Sequence, residues 1–237
     1  NLGCPSGTVV SKHKGAGFLG LPDSLDRFLD EVCGKMEEMG MELSVKTRLG
    51  LISPDEFTEL LEIYNRYPLK ELILHPRVRT DYYKNTPNMP AFRGGFDGSR
   101  APVCYNGDIF TISDYETLCG DYPELDRVML GRGIISNPGL LDRIAAGANS
   151  SGVGTGKETL KQFHQMVYEG YREIMSGDRN VLFKMKELWA CMIQIFSDNG
   201  KYIKRIKKSQ RLEEYEAAAA AVFRDLDIME GAGFRTY

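Results

Sequence analysis

Short extended stretches alternate with helical stretches from residue 41 to about residue 146, and this alternation constrains the fold more than any other feature of the chain. Repeated strand-helix units of this kind build a parallel sheet that is covered by helices. Four stretches are predicted as strands: 43–48, 71–75, 102–106 and 126–130. The chain is therefore expected to be an α/β protein.

Two amphipathic helices are predicted to cover the sheet. The first runs over 22–39, with Asp23 as its cap and apolar residues at helical spacing. The second runs over 53–64, where Ser53 is the expected cap and Glu56 holds the capping-box position.

Two stretches of small residues interrupt the pattern. Residues 81–100 are rich in proline and glycine, so a functional loop is expected there instead of a full helix. Residues 147–156 are interpreted as a linker, because Glu158 stands where a phosphate-binding loop needs Ser or Thr. The predicted organisation is a partial barrel over 1–146 and, after this linker, a small all-α helical bundle over 157–237.

Composition narrows the class of protein. Hydrophobic residues make up 42% of the chain, which suits a packed core, and the formal net charge of −3 excludes a globally basic coat for nucleic acid. No apolar run is long enough for a membrane helix. Five widely spaced cysteines without a C-x-x-C pattern argue against a disulfide framework or zinc site, so a cytoplasmic protein is expected. No membrane partner is expected either.

Polar and glycine residues follow the carboxyl end of each predicted strand. In a barrel of parallel strands these ends meet on one rim, where barrel enzymes keep their active sites. Strand alternation places Lys46 and Arg48 on the face opposite Val45. In the next strand, His75 and Arg77 share one face. This polar face is expected to point at the barrel axis or rim.

Two glycine-containing turns suit an anion. Asn106, Gly107 and Asp108 follow one strand, and Gly131 and Arg132 follow the next. Glycine lets backbone N–H groups approach a phosphate, and arginine adds a forked cationic donor. The sequence therefore predicts a phosphorylated cofactor at these turns.

Five motifs in this order and spacing resemble the tRNA-dihydrouridine synthases, which are flavin enzymes that reduce particular uridines in transfer RNA. They are NLGCPSGTVVSKHKGAGFL, VKTRLG, LILHPR, YNGDIF and VMLGRGIISNPGL. The resemblance is strong over 1–142 and loose over the helical tail. It implies a (β/α)8 TIM barrel that holds FMN, of which this chain carries the C-terminal half, about strands 5 to 8. It also implies a helical C-terminal domain that binds tRNA.

The resemblance also implies residue roles. Cys4 is the proton donor, and Asn1 and Arg77 contact the substrate. Lys46 and His75 contact the flavin ring or the target base. The ribityl phosphate of FMN is held by Asn106, Gly107, Asp108, Gly131 and Arg132. NADPH reduces the flavin on family precedent alone, since no dinucleotide-binding fingerprint is present.

Elementary chemistry agrees with these roles. Reduction of the uracil C5–C6 bond needs a hydride on one carbon and a proton on the other. A thiol with an ordinary pKa of about 8.5 is mostly protonated at neutral pH and can donate. A lysine beside the flavin N1–C2 edge stabilises the negative charge of the reduced ring. The target base must leave its stack to reach the pocket.

Each candidate also has a purely structural interpretation. The alternative for Cys4 is a small buried residue, and the alternative for His75 is a hydrogen-bonded core histidine. Lys46 is compatible with a surface lysine whose stem packs on apolar residues, and Arg132 with an ion pair at the rim.

One basic run lies in the helical tail. It spans 201–211 and includes Lys204, Arg205, Lys207 and Lys208, which are predicted to contact tRNA. Residues 157–237 carry a net charge of +2, against −5 for 1–156. Tyr202 adds a ring that can stack on a base. A solvated helix face is the alternative interpretation.

The resemblance also has departures. Asn1 already stands where a fourth barrel strand would end, so a fragment of a longer chain is expected, with upstream strands and flavin contacts missing. The proline-containing segment 81–100 departs from the usual pattern. A monomer is expected. Two alternatives stay open: another FMN-dependent barrel oxidoreductase acting on a small molecule, and a catalytically silent RNA-binding fragment.

Overall fold

The computed structural model describes residues 1–147, 156–229 and 231–234, and these form two compact units. The first unit holds Asn1–Asp108 and Tyr122–Met129, and the second holds Ile109–Asp121 and the described residues from Leu130 onward. Most of the predicted linker, 148–155, lies outside the described residues. The domain bounds predicted from the sequence stay a prediction.

The first unit combines helices with a parallel sheet. Its elements are α1 (Gly7–Val10), a 3-10 helix (Gly15–Gly20), α2 (Pro22–Glu38), β1 (Leu43–Arg48), α3 (Glu56–Tyr64), β2 (Leu69–His75), a 3-10 turn (Arg79–Asp81), α4 (Met89–Gly98) and β3 (Val103–Tyr105). The strands lie in the order β1-β2-β3, all parallel. The predicted α/β class is confirmed by this mixed architecture.

Two segments extend the sheet without forming regular strands. The backbone N–H of Leu2 donates to the carbonyl of Lys46 at 2.7 Å, which places the N-terminal segment beside β1. On the other side, Val128 makes a single parallel bridge with Tyr105. The predicted strand over 126–130 is therefore wrong: only two backbone hydrogen bonds hold this stretch to β3, which is too few for a ladder.

The apolar face of the sheet packs against α3 and α4. Val45, Leu72 and Leu74 on this face are almost fully buried. Gly95 of α4 lets the helix approach the sheet, because a Cβ there would lie 2.7 Å from Phe57 of α3 and 2.8 Å from Leu74. Burial of each large apolar side chain stabilises the fold by about 1.5–3 kcal/mol.

The ends of the helices differ from the sequence prediction. Leu21, not Asp23, is the N-cap of α2, and Pro22 occupies the first turn. Helix α3 begins at Glu56, whose carboxylate accepts hydrogen bonds from the backbone N–H groups of Ser53 at 2.7 Å and of two residues before it. The carboxylate half of the predicted capping box thus forms in the turn before the helix.

The predicted loop over 81–100 contains a helix, α4, and that part of the prediction is wrong. Asn88 caps this helix, because its side-chain oxygen accepts a hydrogen bond from Ala91 N–H at 2.9 Å. Pro90 lies in the first turn, where proline removes no intrahelical hydrogen bond. Gly95 serves close packing and does not break the helix.

The described part of the second unit is built from helices. Its helices are α5 (Ile112–Asp121), α6 (Arg132–Ser136), α7 (Leu140–Ala146), α8 (Lys157–Ile174), α9 (Asp178–Met192), a 3-10 turn (Ile193–Ile195), α10 (Gly200–Lys208) and α11 (Leu212–Asp225). Met185, Trp189 and Met192 are fully buried, which confirms their prediction as core residues. Among the described residues, no helix is long and apolar enough to cross a membrane.

Candidate functional site

The strand register brings the predicted polar residues onto one face of the sheet. Lys46, Ile73 and Cys104 lie side by side across β1, β2 and β3. One step toward the carboxyl ends, Arg48 lies beside His75. The alternation predicted for β1 and β2 is confirmed, and the polar face is the one opposite α3 and α4.

His75 is buried and held in one orientation. Its Nε2 lies 3.1 Å from Nη1 of Arg77, and its ring stacks on Tyr83 with centroids 6.0 Å apart. Because a guanidinium can only donate, Nε2 accepts this hydrogen bond and the ring proton of a neutral imidazole sits on Nδ1. The strand end therefore presents a histidine with a fixed tautomer.

Arg77 owes its position to Asp108. Its Nη1 and Nη2 donate to the two carboxylate oxygens of Asp108 at 2.8 and 2.5 Å, and its Nε donates to the carbonyl of Asn85. The arginine side chain is 1% exposed. The structure therefore does not fit the prediction that Arg77 contacts substrate: it is a positioning residue for His75.

Asp108 also differs from its predicted role. Its carboxylate forms a bidentate ion pair with Arg77, and a carboxylate repels phosphate. Any phosphate contact from this turn therefore falls to its backbone rather than to this side chain.

The neighbouring residues of the turn have packing roles. Asn106 donates from Nδ2 to the carbonyl of Met129 at 2.8 Å, which ties β3 to the segment beyond it. At Gly107 a Cβ would collide with the ring and hydroxyl of Tyr105, so only glycine fits. The sequence attributed this glycine to phosphate approach, and the structure supplies a steric reason that is independent of any ligand.

Lys46 is the candidate residue best suited to a ligand. It is half-buried, and burial, together with the positive charge of Arg48, lowers the pKa of its ammonium. Among the described residues, its Nζ has no hydrogen bond and no ion pair. A partly desolvated cation without a counter-charge favours an electron-rich group bound beside it.

Arg48 has a structural role that sequence reasoning missed. It is 1% exposed and donates hydrogen bonds to the backbone carbonyls of Gly3, Val78 and Tyr82 at 2.8–3.1 Å. One side chain thus joins the N-terminal segment to two points of the loop after β2. The signal available in the sequence was an arginine at the end of a predicted strand, but its carbonyl partners cannot be read from the sequence.

The N-terminal segment carries Cys4 to the edge of β1. The carbonyl of Cys4 accepts a hydrogen bond from Ala16 N–H at 2.9 Å, and Gly15 has a φ of 53°, which favours glycine. The thiol is partly exposed. Asn1 is exposed, and its side-chain oxygen accepts a hydrogen bond from Gly3 N–H at 3.1 Å.

Gly131 and Arg132 lie in the second unit, where Arg132 opens α6. The guanidinium carbon of Arg132 lies 5.1 Å from the ring centre of Phe110 and 4.8 Å from that of Phe234. The arginine thus contacts two aromatic rings. Its predicted phosphate role stays a prediction.

The basic run forms the exposed side of α10. Lys204, Arg205 and Lys208 line an open pocket of about 440 Å³, and Lys207 is also exposed. Tyr202 is buried and its hydroxyl donates to Asp225 at 3.2 Å, so the prediction that its ring stacks on a base is wrong. The charge is available to an anionic partner, and the aromatic ring is not.

These features define a parallel α/β protein with a polar strand edge, and comparison with known proteins gives the family. The family model for dihydrouridine synthase (Dus) matches residues 1–227, and the chain belongs to this family.

Individual relatives match about three fifths of the chain. The tRNA-dihydrouridine(16) synthase of Pseudomonas putida is 32% identical over 146 residues, which cover 62% of this chain and 45% of the relative. The enzyme of the same name from Ralstonia nicotianae is 30% identical over 145 residues, 61% of this chain and 44% of the relative. A probable tRNA-dihydrouridine synthase of Staphylococcus aureus strain N315 is 32% identical over 143 residues, 58% and 42%. The chain thus spans about half the length of the relatives it matches.

Proposed function

We propose that this chain contributes to FMN-dependent reduction of specific uridines in tRNA to dihydrouridine, with NADPH as the reductant. The observation that carries the proposal is the polar face of the sheet, where half-buried Lys46 has no ion pair with any described residue and His75 has its tautomer fixed. Family membership supplies the reaction class. The chain is proposed to form the C-terminal half of a (β/α)8 TIM barrel, with its strands among about the fifth to eighth of that barrel.

The residues of this face fit a flavin. When bound, FMN would supply the hydride for the uracil ring. Lys46 would hold the electron-rich edge of the ring, and His75 would donate from Nδ1 to a carbonyl of the flavin or of the base. The ligands of the FMN phosphate are proposed on the family resemblance. They are Asn106, Gly107, Asp108 through its backbone, Gly131 and Arg132.

Cys4 is proposed as the acid. The uracil C5–C6 bond gains a hydride at one carbon and the Cys4 thiol proton at the other, which leaves a thiolate that solvent reprotonates. The hydrogen bond of its carbonyl to Ala16 fixes the turn that presents it. Asn1, which is exposed three residues before it, is proposed to lie beside the target base.

The exposed cations of α10 are proposed to bind the tRNA backbone. Tyr202, the aromatic residue of this helix, is buried and offers no stacking surface beside Lys204, Arg205, Lys207 and Lys208. They therefore suit phosphate contacts that carry no base specificity. The protein is proposed to act in the cytoplasm as a monomer, with its tail as a tRNA-binding domain over 157–237.

The test measures flavin binding and product in one preparation. The protein carrying this chain is titrated with FMN by quenching of flavin fluorescence, then incubated with NADPH and tRNA that lacks dihydrouridine. Mass spectrometry of the tRNA should show uridines that have gained two hydrogens. NADPH oxidation without that product would favour a small-molecule oxidoreductase, and tRNA binding without FMN would favour a silent RNA-binding fragment. Either result overturns the proposal.

A further inference from the structure

The last described residues of the chain, 231–234, are held against the second unit, and we call them the C-terminal segment. Backbone contacts just before the segment fix where it begins. Ile228 makes an antiparallel bridge with Phe196, and the N–H of Met229 donates to the carbonyl of Ile195 at 2.9 Å. The segment after α11 therefore has a defined path over the helices.

Glycines bring the C-terminal segment into close contact with Phe110. Gly231 has a φ of 67°, a left-handed value that glycine adopts without strain. Gly233 is buried, and a Cβ there would collide with the carbonyl oxygen of Phe110. Gly133 of α6 approaches the preceding residue in the same way, since its Cβ would collide with the carbonyl oxygen of Ile109. The backbone of these two residues is thus contacted by both α6 and the C-terminal segment.

Phe110 and Phe234 form an aromatic platform under Arg132. The centres of the two rings lie 5.1 Å apart, and the guanidinium carbon of Arg132 lies 5.1 Å from the first and 4.8 Å from the second. Three sides of nearly equal length place the guanidinium over the junction of the rings and not between them. Phe110 is 9% exposed and Phe234 is half-buried, so the platform is anchored in the unit.

An aromatic contact orients an arginine without using its hydrogen-bond donors. The contact engages the π faces of the rings, whereas the N–H groups of a guanidinium lie in its plane and point outward from its edge. A flexible arginine loses rotamer freedom when it binds an anion, and an arginine that is already held in place loses less. The platform therefore favours anion binding by Arg132 without touching the anion.

We propose that the C-terminal segment is part of the anion site at Arg132. Phe234 is a positioning residue: together with Phe110 it holds the guanidinium in the orientation that binds a phosphate monoester. That this phosphate belongs to FMN rests on the proposed function. The end of the chain thereby contributes to phosphate binding, in addition to the two glycine-containing turns.

FMN and riboflavin test this inference, because the two flavins differ only in the phosphate. Their affinities for the protein carrying this chain are measured by quenching of flavin fluorescence. Phe234→Leu removes the aromatic ring and keeps the apolar bulk, whereas Phe234→Tyr keeps the ring. Phe183→Leu is the matched control, since Phe183 is 62% exposed on α9 and is not part of the platform.

We expect Phe234→Leu to weaken FMN binding about fivefold or more and to leave riboflavin binding within about twofold, because only FMN carries the group that Arg132 binds. Phe234→Tyr and Phe183→Leu should match the unsubstituted protein. In an Arg132→Ala background, Phe234→Leu should have no further effect on FMN, because the ring acts through the arginine.

Three results would overturn the inference. Equal losses of FMN and riboflavin binding in Phe234→Leu would make Phe234 a packing residue. An unchanged affinity for FMN in that variant would show that the ring is not needed, and equal affinities of the unsubstituted protein for the two flavins would show that no phosphate is bound. The proposed function fails separately: if tRNA gains no dihydrouridine while the flavin affinities follow the expected pattern, the phosphate site stands and the reduction does not.

Discussion

The guanidinium of Arg77 shows how one buried charge organises the strand edge. It neutralises Asp108, holds the ring of His75 and donates to the loop carbonyl of Asn85. None of these groups can be removed without leaving a buried donor or charge unpaired. The candidate site therefore depends on a residue that does not contact the proposed substrate.

Asp108→Asn tests this dependence. The substitution removes the counter-charge of Arg77 while conserving shape, so we expect a loss of about 3 kcal/mol in the free energy of unfolding. Urea unfolding followed by circular dichroism measures it. The control is Asp97→Asn, which breaks an exposed ion pair with Arg93 and should change stability by less than about 0.5 kcal/mol. Equal effects of the two substitutions would show that the Arg77 pair is dispensable.

Gly107→Ala tests the steric origin of the glycine turn. The added methyl meets the ring of Tyr105, so we expect destabilisation by about 1–3 kcal/mol even without a cofactor. Gly94→Ala on α4, where a Cβ meets nothing within 4 Å, should instead be neutral or stabilising. Thermal unfolding of both variants decides the matter. If Gly107→Ala leaves the stability unchanged, packing does not require the glycine, and ligand binding would be its only role.

At this scale the sequence predicts which face a side chain occupies but not its partner. Strand alternation placed Lys46 and His75 together, because a period of two needs no tertiary information. The pairing of Arg77 with Asp108 joins residues 31 positions apart and depends on how β2 and β3 align. Such pairings follow from packing, which no local pattern encodes.

At the scale of elements, glycine and proline were the least reliable guides. Helix α4 keeps Pro90 in its first turn and uses Gly95 to approach the sheet, so residues typical of a loop support a helix. The stretch over 126–130 has the composition of a strand but makes one bridge. The strands β1 and β2, by contrast, are periodic and buried, and their positions were predictable.

The packing of α8 against α9 and α11 makes stability depend on pH. His164 has a folded pKa of about 4 against an ordinary 6.5, so the unfolded chain binds the proton more readily. Stability is fully present above pH 6.5 and falls as the pH drops toward 4, by up to about 3 kcal/mol. His164→Gln should flatten this dependence. His13→Gln, which changes an exposed histidine, should not. Denaturant midpoints measured from pH 7 to pH 4 check this, and an unchanged slope in His164→Gln would contradict it.

At the scale of the whole molecule, ordered motifs carried more information than any element. Five motifs indicated the Dus family, which the match over 1–227 confirms. The roles of single residues did not follow as readily: Arg77 and Tyr202 are buried structural residues, although both were predicted to bind. Family resemblance therefore gives the reaction class, and coordinates are needed to separate contact residues from positioning residues.

The cationic side of α10 predicts a salt-dependent affinity for tRNA. Replacement of Lys204, Arg205, Lys207 and Lys208 by glutamine should weaken binding and reduce the slope of log K against log salt, because each phosphate contact contributes about 0.9 to that slope. Filter binding at several salt concentrations measures both. Replacement of Lys35 and Lys70, exposed lysines of the first unit, is the control and should leave the slope unchanged. An unchanged slope in the variant with all four substitutions would show that these cations only face solvent and do not contact tRNA.

The acid role of Cys4 is the central chemical claim, and a single-turnover assay with FMN-loaded protein tests it most directly. Cys4→Ala should bind FMN normally. It should form dihydrouridine in tRNA at least about 100-fold more slowly than the unsubstituted protein, since general acid catalysis contributes at least that factor. Cys33→Ala on α2 should match the unsubstituted protein. Dihydrouridine formation by Cys4→Ala at the unsubstituted rate would contradict the account.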